Sequence, residues 1–262
     1  MNERVAMAVC RAVNETEHGK RAQRLYHQLV GRRFVYSVVE PRILVEGLDA
    51  VAALQPDRGV LLCSNHRTFF DQFVLMAILY RAARWPRRVY FPVRSNYFYD
   101  SWSGLAVNGL IGGFAMYPPI FRDLGRAEDN RDAVARLAEL IAEPGALVGM
   151  HPEGTRGKGP DPYALLPAQP GIGQIILRSR PIVLPAFING LSNDFTREVG
   201  ARLLPRRIAG ERIIAVFGEP LDLGPLLEGK PRPAQYKRVA DRVLEAIAAL
   251  GERERALRAG SR

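Results

Sequence analysis

Val60-Leu61-Leu62-Cys63-Ser64-Asn65-His66-Arg67-Thr68-Phe69-Phe70-Asp71 is an apolar run, a polar turn and the start of a helix-like stretch that continues to Leu79. Four consecutive apolar residues ending in a turn fit a strand buried on both faces, and a strand that feeds a helix through a polar turn is a building unit of α/β sheets. Outward from it the same alternation repeats: Val89 to Val93 then Tyr99 to Leu110, Ala146 to Met150 then Ile172 to Leu177, then Ile182 to Phe187. Asp129 to Ile141 has a helical period with Asp129 or Asn130 as its cap. Ile43 to Val45 and Ile213 to Phe217 read as further strands, and Tyr236 to Leu250 as a closing helix before a charged tail. The expectation is an α/β sheet with helices covering it.

The turn carries chemistry. His66 and Asp71 are five positions apart, so the carboxylate can accept from one ring nitrogen and leave the other free to take a proton from a hydroxyl. A second polar segment, His151-Pro152-Glu153-Gly154-Thr155-Arg156, follows the apolar run Ala146 to Met150. Gly154 lets backbone approach a ligand closely, and Arg156 offers a planar fork of donors that matches a phosphate. Gly157, Lys158 and Gly159 extend this cationic loop.

At these residues the chain resembles the glycerolipid acyltransferase family, typified by 1-acylglycerol-3-phosphate and glycerol-3-phosphate acyltransferases. His66 and Asp71 match the family's first block, and Glu153, Gly154, Thr155 and Arg156 its third. Pro185 within Ile182 to Ile188 matches the fourth, and Ile120-Phe121-Arg122 is a loose second. The blocks fall in the family's order from Asn65 to Ile188. His151 stands where the family usually has Phe, Gly157 where it often has Ser, and Gln169-Pro170-Gly171 where many members carry a Lys before the Gly.

The resemblance implies a mixed central sheet flanked by helices. It also implies His66 as base with Asp71 orienting it, and Glu153, Gly154, Thr155, Arg156 and Arg122 around a substrate phosphate. The implied donor is acyl-CoA or acyl-acyl carrier protein, a co-substrate rather than a cofactor, with no metal. The implied acceptor is a lysophospholipid, foremost lysophosphatidic acid, with glycerol 3-phosphate or another lysolipid as the runner-up. A noncatalytic lipid-binding protein on the same fold is the reading from another class.

Simpler roles compete at several positions. Glu153 can hold its loop by bonding backbone groups, Thr155 can cap a helix, and Arg156 can pair with Glu153. Asp123 can neutralise Arg122. Arg67 and Arg94 read as nearby cations, His18 and His27 as surface residues, and His151 as a replacement for an aromatic ring.

With 262 residues and 47% hydrophobic content the chain can bury a substantial core. Residues 41–262 read as the acyltransferase domain. Residues 1–40 read as a helical region, with Leu25, Leu29 and Val30 beside Arg21, Arg24, Arg32 and Arg33. That region fits an interfacial amphipathic element and an ordinary packed helix equally well.

The 37 Lys and Arg against 27 Asp and Glu, net +10, suit an anionic partner. Zinc-finger spacing, an RNP-type aromatic block and a heptad-linked basic region are missing, so an anionic membrane surface and the donor are expected rather than nucleic acid. No secretory signal stands at the start, and Gly104 to Tyr117 is short and holds Asn108. The expected location is cytoplasmic, peripheral at the inner face of the cell membrane. Two cysteines do not make a stapled scaffold. There is no G-x-S-x-G elbow, no complete P-loop and no metal-type His/Cys spacing, and Gly171-Ile172-Gly173 lacks the third glycine of a dinucleotide fingerprint.

Overall fold

The computed structural model describes residues 3–121, 124–203, 212–229 and 231–260. The elements run α1 (Glu3–Glu15), α2 (Glu17–Tyr26), a wide helical turn His27–Gly31, α3 (Arg32–Val39), β1 (Ile43–Glu46), α4 (Leu48–Ala52), β2 (Val60–Ser64), α5 (Asp71–Ala82), β3 (Arg88–Tyr90), β4 (Val93–Arg94) and α6 (Ser95–Phe98). They continue with α7 (Trp102–Gly112), β5 (Pro119–Ile120), α8 (Ala127–Ala142), β6 (Ala146–Met150), α9 (Pro170–Ser179), β7 (Ile182–Asn189), α10 (Phe195–Leu203), β8 (Ile213–Phe217) and α11 (Pro233–Gly260).

The six-stranded sheet has the order β1-β8-β7-β2-β6-β3. Strands β7, β2, β6 and β3 are mutually parallel, whereas β8 pairs antiparallel to β7 and parallel to β1. The sheet is therefore mixed, as expected. β2 lies at its centre with all five residues buried, which explains its unbroken apolar run. Its side chains divide by alternation: Leu61 and Cys63 join Ile172, Ile176, Val239 and Val243 on one face. Val60 and Leu62 join Val74, Leu75 and Ile78 on the other. Helix α5 is buried from Asp71 to Tyr80 because the sheet covers one side and α3 the other. Helix α3 thus forms an outer layer over a helix that is apolar all round.

The first two helices are pinned by a buried polar cluster. Lys20 Nζ donates to Asn14 Oδ1 (2.8 Å), Gln23 Oε1 (2.8 Å) and the Val89 carbonyl (2.9 Å), and lies 3.6 Å from the centre of the Tyr90 ring. Burial pulls its pKa well below the usual lysine range, while three oxygen acceptors and an aromatic face favour the ammonium. Asn14 and Gln23 also donate to the carbonyls of Phe114 and Gly113.

Several sequence expectations are corrected. The run Val89 to Val93 is split: β3 stops at Tyr90, and beyond Pro92 the chain joins a separate two-stranded sheet with β5. The helix expected from Tyr99 starts later, at Trp102, because Ser101 caps it with its Oγ accepting from the Gly104 N–H (2.9 Å); a separate short helix, α6, ends at Phe98 before it. Helix α8 begins at Ala127, ahead of Asp129 and Asn130. Asn130 instead bonds both backbone groups of Phe121. Asn108, within the short apolar stretch, is fully buried and bonded to Met116 backbone. The charged tail is helix, since α11 continues to Gly260. His27 is not a surface residue: its Nε2 is buried, and burial together with Lys20 lowers its pKa to about 4.

Candidate active site

Neighbouring parallel strands β2 and β6 end in register, with Cys63 opposite Met150. The segments that follow them, from Asn65 and from His151, therefore leave the sheet side by side at its carboxyl edge. In open α/β sheets this edge is where ligands bind. Asn65 continues the ladder with its side chain in place of its backbone: Nδ2 donates to the Ile188 carbonyl and Oδ1 accepts from the Ile188 N–H, both at 2.8 Å. The chain is thereby anchored to β7 while His66 turns away.

The turn from His66 to α5 is built around the Asp71 carboxylate, which is almost fully buried. Its Oδ2 accepts from the N–H groups of Arg67 (2.6 Å) and Thr68 (2.7 Å), and its Oδ1 from Thr68 Oγ1 (2.6 Å). His66 Nδ1 stands 3.5 Å from the same Oδ2, at the outer limit of a hydrogen bond. The structure brings the dyad together, with Asp71 acting first as a clasp for the loop. The His66 side chain is about one-fifth exposed.

Glu153 ties the two segments together. Its carboxylate accepts from the His66 N–H (2.8 Å) and the Leu166 N–H (2.7 Å), and it is buried. Burial pushes its pKa up, partly opposed by those two N–H bonds. This is the loop-holding role; a phosphate beside this carboxylate would meet a like charge. The Gly157 N–H donates to the His66 carbonyl (2.8 Å), closing the loop onto the base.

Gly154 adopts a left-handed backbone, with φ of 64°, and its carbonyl accepts from Arg94 Nη2 (3.0 Å). Thr155 caps no helix, since the next one is α9 at Pro170. Arg156 does not pair with Glu153: its Nη1 donates to Asn193 Oδ1 (2.9 Å) on the exposed rim. The same oxygen accepts from the Phe69 N–H (3.0 Å), so Asn193 bridges the two motif segments. Arg67 Nη2 reaches the Gly159 carbonyl (2.5 Å). Arg67 and Arg94 thus both reach carbonyls of the loop from Gly154 to Gly159, which itself carries Arg156. Arg122 lies outside the described residues.

His151 packs face to face with His66, ring centres 3.8 Å apart and planes within 4°. It offers a flat ring face and adds a hydrogen bond: Nδ1 lies 3.1 Å from the Ser64 carbonyl. Burial, then the neighbouring His66, lowers its pKa to about 3, so it stays neutral.

Sequence reasoning did not assign roles to Asn65, Arg94 or Asn193. Asn65 had a signal, being the polar residue that ends a buried strand next to the base. Asn193 stands just past the fourth motif block, in the polar run Ser192-Asn193-Asp194, and nothing local ties it to Arg156.

A family model described as Acyltransferase matches residues 42–189, which take in β1 to the end of β7 and the motif segments around His66 and Arg156. No curated protein sequence matches the chain. Among the solved structures that match is the crystal structure of the 1-acyl-sn-glycerophosphate (LPA) acyltransferase, PlsC, from Thermotoga maritima. It is 17% identical, with 89% of this chain and 81% of that chain covered and a TM-score of 0.52. At that identity the likeness is one of fold.

Proposed function

Since the chain belongs to the acyltransferase family, we propose that it moves a fatty acyl group from an acyl thioester to the free hydroxyl of 1-acylglycerol 3-phosphate, giving phosphatidic acid. The observation that carries this reading is the joining of base and arginine loop through Glu153 and Gly157, which hold His66 beside Arg156. The base needs an acceptor hydroxyl presented to it, and a phosphate gripped by a planar guanidinium supplies that placement.

In this mechanism His66 Nε2 takes the proton of the acceptor hydroxyl as the oxygen attacks the thioester carbonyl. The tetrahedral intermediate collapses with loss of the thiolate, which recovers the proton from the imidazolium. The new ester and a free thiol leave, and no acyl group is attached to the protein. The Asp71 contact favours the imidazolium form while it lasts; such contacts are often long before substrate binds. Arg156 and Arg94, with Arg122 from the second motif block, are the cations assigned to the phosphate.

A small apolar cleft of about 40 Å³, lined by Phe34, Val38, Phe70, Phe73, Ile111 and Leu191, lies between α3, α5, α7 and α10 beside the start of α5. No helix among the described residues is long and apolar enough to cross a membrane. Leu25, Leu29, Val30 and Phe34 are nonetheless exposed on α2, the wide turn and α3, as are Trp102 and Leu110 on α7. The Tyr26 hydroxyl bonds the Leu110 carbonyl and joins the two groups. With Arg21, Arg24 and Arg33 beside them, this face suits attachment to the surface of an anionic bilayer.

The test is an acceptor screen with labelled acyl-CoA and acyl-acyl carrier protein, read by mass spectrometry of the lipid product. Phosphatidic acid made from lysophosphatidic acid supports the reading. Product only from glycerol 3-phosphate moves the assignment to that acceptor. Lipid binding without thiol release from any donor would overturn it in favour of a noncatalytic protein.

A further inference from the structure

We propose that His151 is a positioning residue for His66, fixing the plane of the base through a stacked ring that is itself tethered to the core by Ser64 and Gln72. The kinetic part of this inference rests on the acyl-transfer reading above; the geometric part does not.

Asp71 alone does not set the His66 ring. Its Oδ2 already accepts two backbone N–H bonds at 2.6 and 2.7 Å and meets Nδ1 only at 3.5 Å. A contact that long leaves the imidazole free to swing. The flat contact with His151, at 3.8 Å and 4°, removes that freedom because swinging would drive one ring into the other.

His151 in turn cannot slide. Its Nδ1 faces both the Ser64 carbonyl (3.1 Å) and Ser64 Oγ (3.2 Å), and a carbonyl acceptor requires that this nitrogen carry the proton. Ser64 Oγ then donates to Gln72 Oε1 (3.2 Å). Gln72, in the first turn of α5, is buried against β6, and a side chain at Gly149 would strike it, its Cβ coming to 2.1 Å from Nε2. A chain of contacts therefore runs from the core through Gln72, Ser64 and His151 to the base. Phenylalanine at 151 would offer the face without the tether.

The same arrangement suits proton transfer. When His66 becomes an imidazolium, it rests on a neutral aromatic face rather than on a second cation. His151 remains neutral because burial disfavours its charged form, and the neighbouring His66 adds to that.

The experiment compares the full chain with His151→Ala, His151→Phe, Ser64→Ala and His66→Ala. The chain has four histidines, so His66→Ala and His151→Ala assign both ring signals in an NMR spectrum of the histidine carbon-bound protons. The stacked geometry shifts the His66 ring protons upfield; His151→Ala returns them toward the free-histidine position, and His151→Phe keeps them shifted. In the kinetic arm His151→Ala lowers kcat by about 10- to 100-fold, the scale of a misplaced catalytic group, with KM changed less than about two-fold. His151→Phe recovers most of that loss.

Ser64→Ala removes the Oγ link from His151 to Gln72 while keeping the ring and its bond to the Ser64 carbonyl, and it repeats both readouts with smaller effects should His151→Ala fail to fold. Unshifted His66 protons in the wild-type chain, or wild-type kcat in a folded His151→Ala, would overturn the inference. An active His66→Ala would instead remove the acyl-transfer reading and leave the NMR arm to decide the stacking.

Discussion

Glu153 Oε1 accepts the backbone N–H of His66 at 2.8 Å, so the acid of the second motif holds the base of the first by its main chain. Glu153→Gln keeps the shape but turns an NH₂ toward one of two buried N–H donors. The expected loss is about 1–3 kcal/mol of stability, the cost of leaving a buried polar group unpaired. Chemical denaturation checks this, and a Glu153→Gln protein as stable as wild type would remove the tie.

His66→Ala is expected to lower turnover by about 10²–10⁴-fold, the usual contribution of a positioned base, without loss of fold. Asp71→Asn has a different signature, since the carboxylate clasps Arg67 and Thr68 as well. Both turnover and melting temperature should fall. Thermal melts beside steady-state rates separate the two; an Asp71→Asn enzyme with normal stability and reduced rate would confine Asp71 to the dyad.

Arg156→Ala should raise KM for a phosphate-bearing acceptor, and Arg156→Lys should recover little because lysine lacks the fork. Asn193→Ala should give a weaker version of the same defect, because its Oδ1 steadies Arg156. Kinetics with 1-acylglycerol 3-phosphate and with uncharged 1-acylglycerol decide the matter. An equal effect on both acceptors would count against a phosphate contact.

Stability should fall as pH drops below about 6.5. Burial lowers the pKa of His27 to about 4 and of His151 to about 3 from 6.5. Between those limits the unfolded chain binds protons that the folded chain refuses, and stability rises with pH wherever the unfolded state binds more. The contribution is thus whole above pH 6.5 and is lost on the way down to about pH 4 to 3. Urea titrations at pH 7.5 and 5 measure it, and His151→Phe should flatten the slope; an unchanged slope would show that His151 titrates normally.

Vesicle attachment should divide by salt. Replacing Leu25, Leu29 and Phe34 by Ser leaves the core intact, because all three are exposed. It should abolish the salt-resistant part of co-sedimentation with anionic vesicles. Replacing Arg21, Arg24 and Arg33 by Gln should remove the salt-sensitive part. Binding that survives both sets of changes would place the membrane contact elsewhere.

Buried strands were the legible part of the fold: β2, β6 and β7 are apolar runs because both sheet faces are covered, so burial prints itself on every residue. The break after Tyr90 was also written locally, in Pro92, yet a run with one proline inside still reads as one strand. The length of α11 was not local at all. Its charged end stays helical while Glu254, fully buried, accepts from Tyr163 (2.6 Å) and Arg258 (2.8 Å), and Arg253 reaches Glu46 (2.7 Å). In the site, spacing revealed His66 with Asp71 and residue type revealed Arg156. The long Nδ1 contact, the bridging Asn193 and the reach of Arg94 arise from segments brought together only by the sheet.

The Lys20 cluster occupies the outer edge of the main sheet. β3 ends the main sheet, and an uncovered end strand is a template onto which a foreign strand can add. Here the Val89 carbonyl is held by the Lys20 ammonium and the Phe91 N–H by the Ala115 carbonyl (2.7 Å). The first two helices therefore serve as a stopper, and a chain shortened past Gln23 would risk growing by edge-to-edge stacking into aggregates.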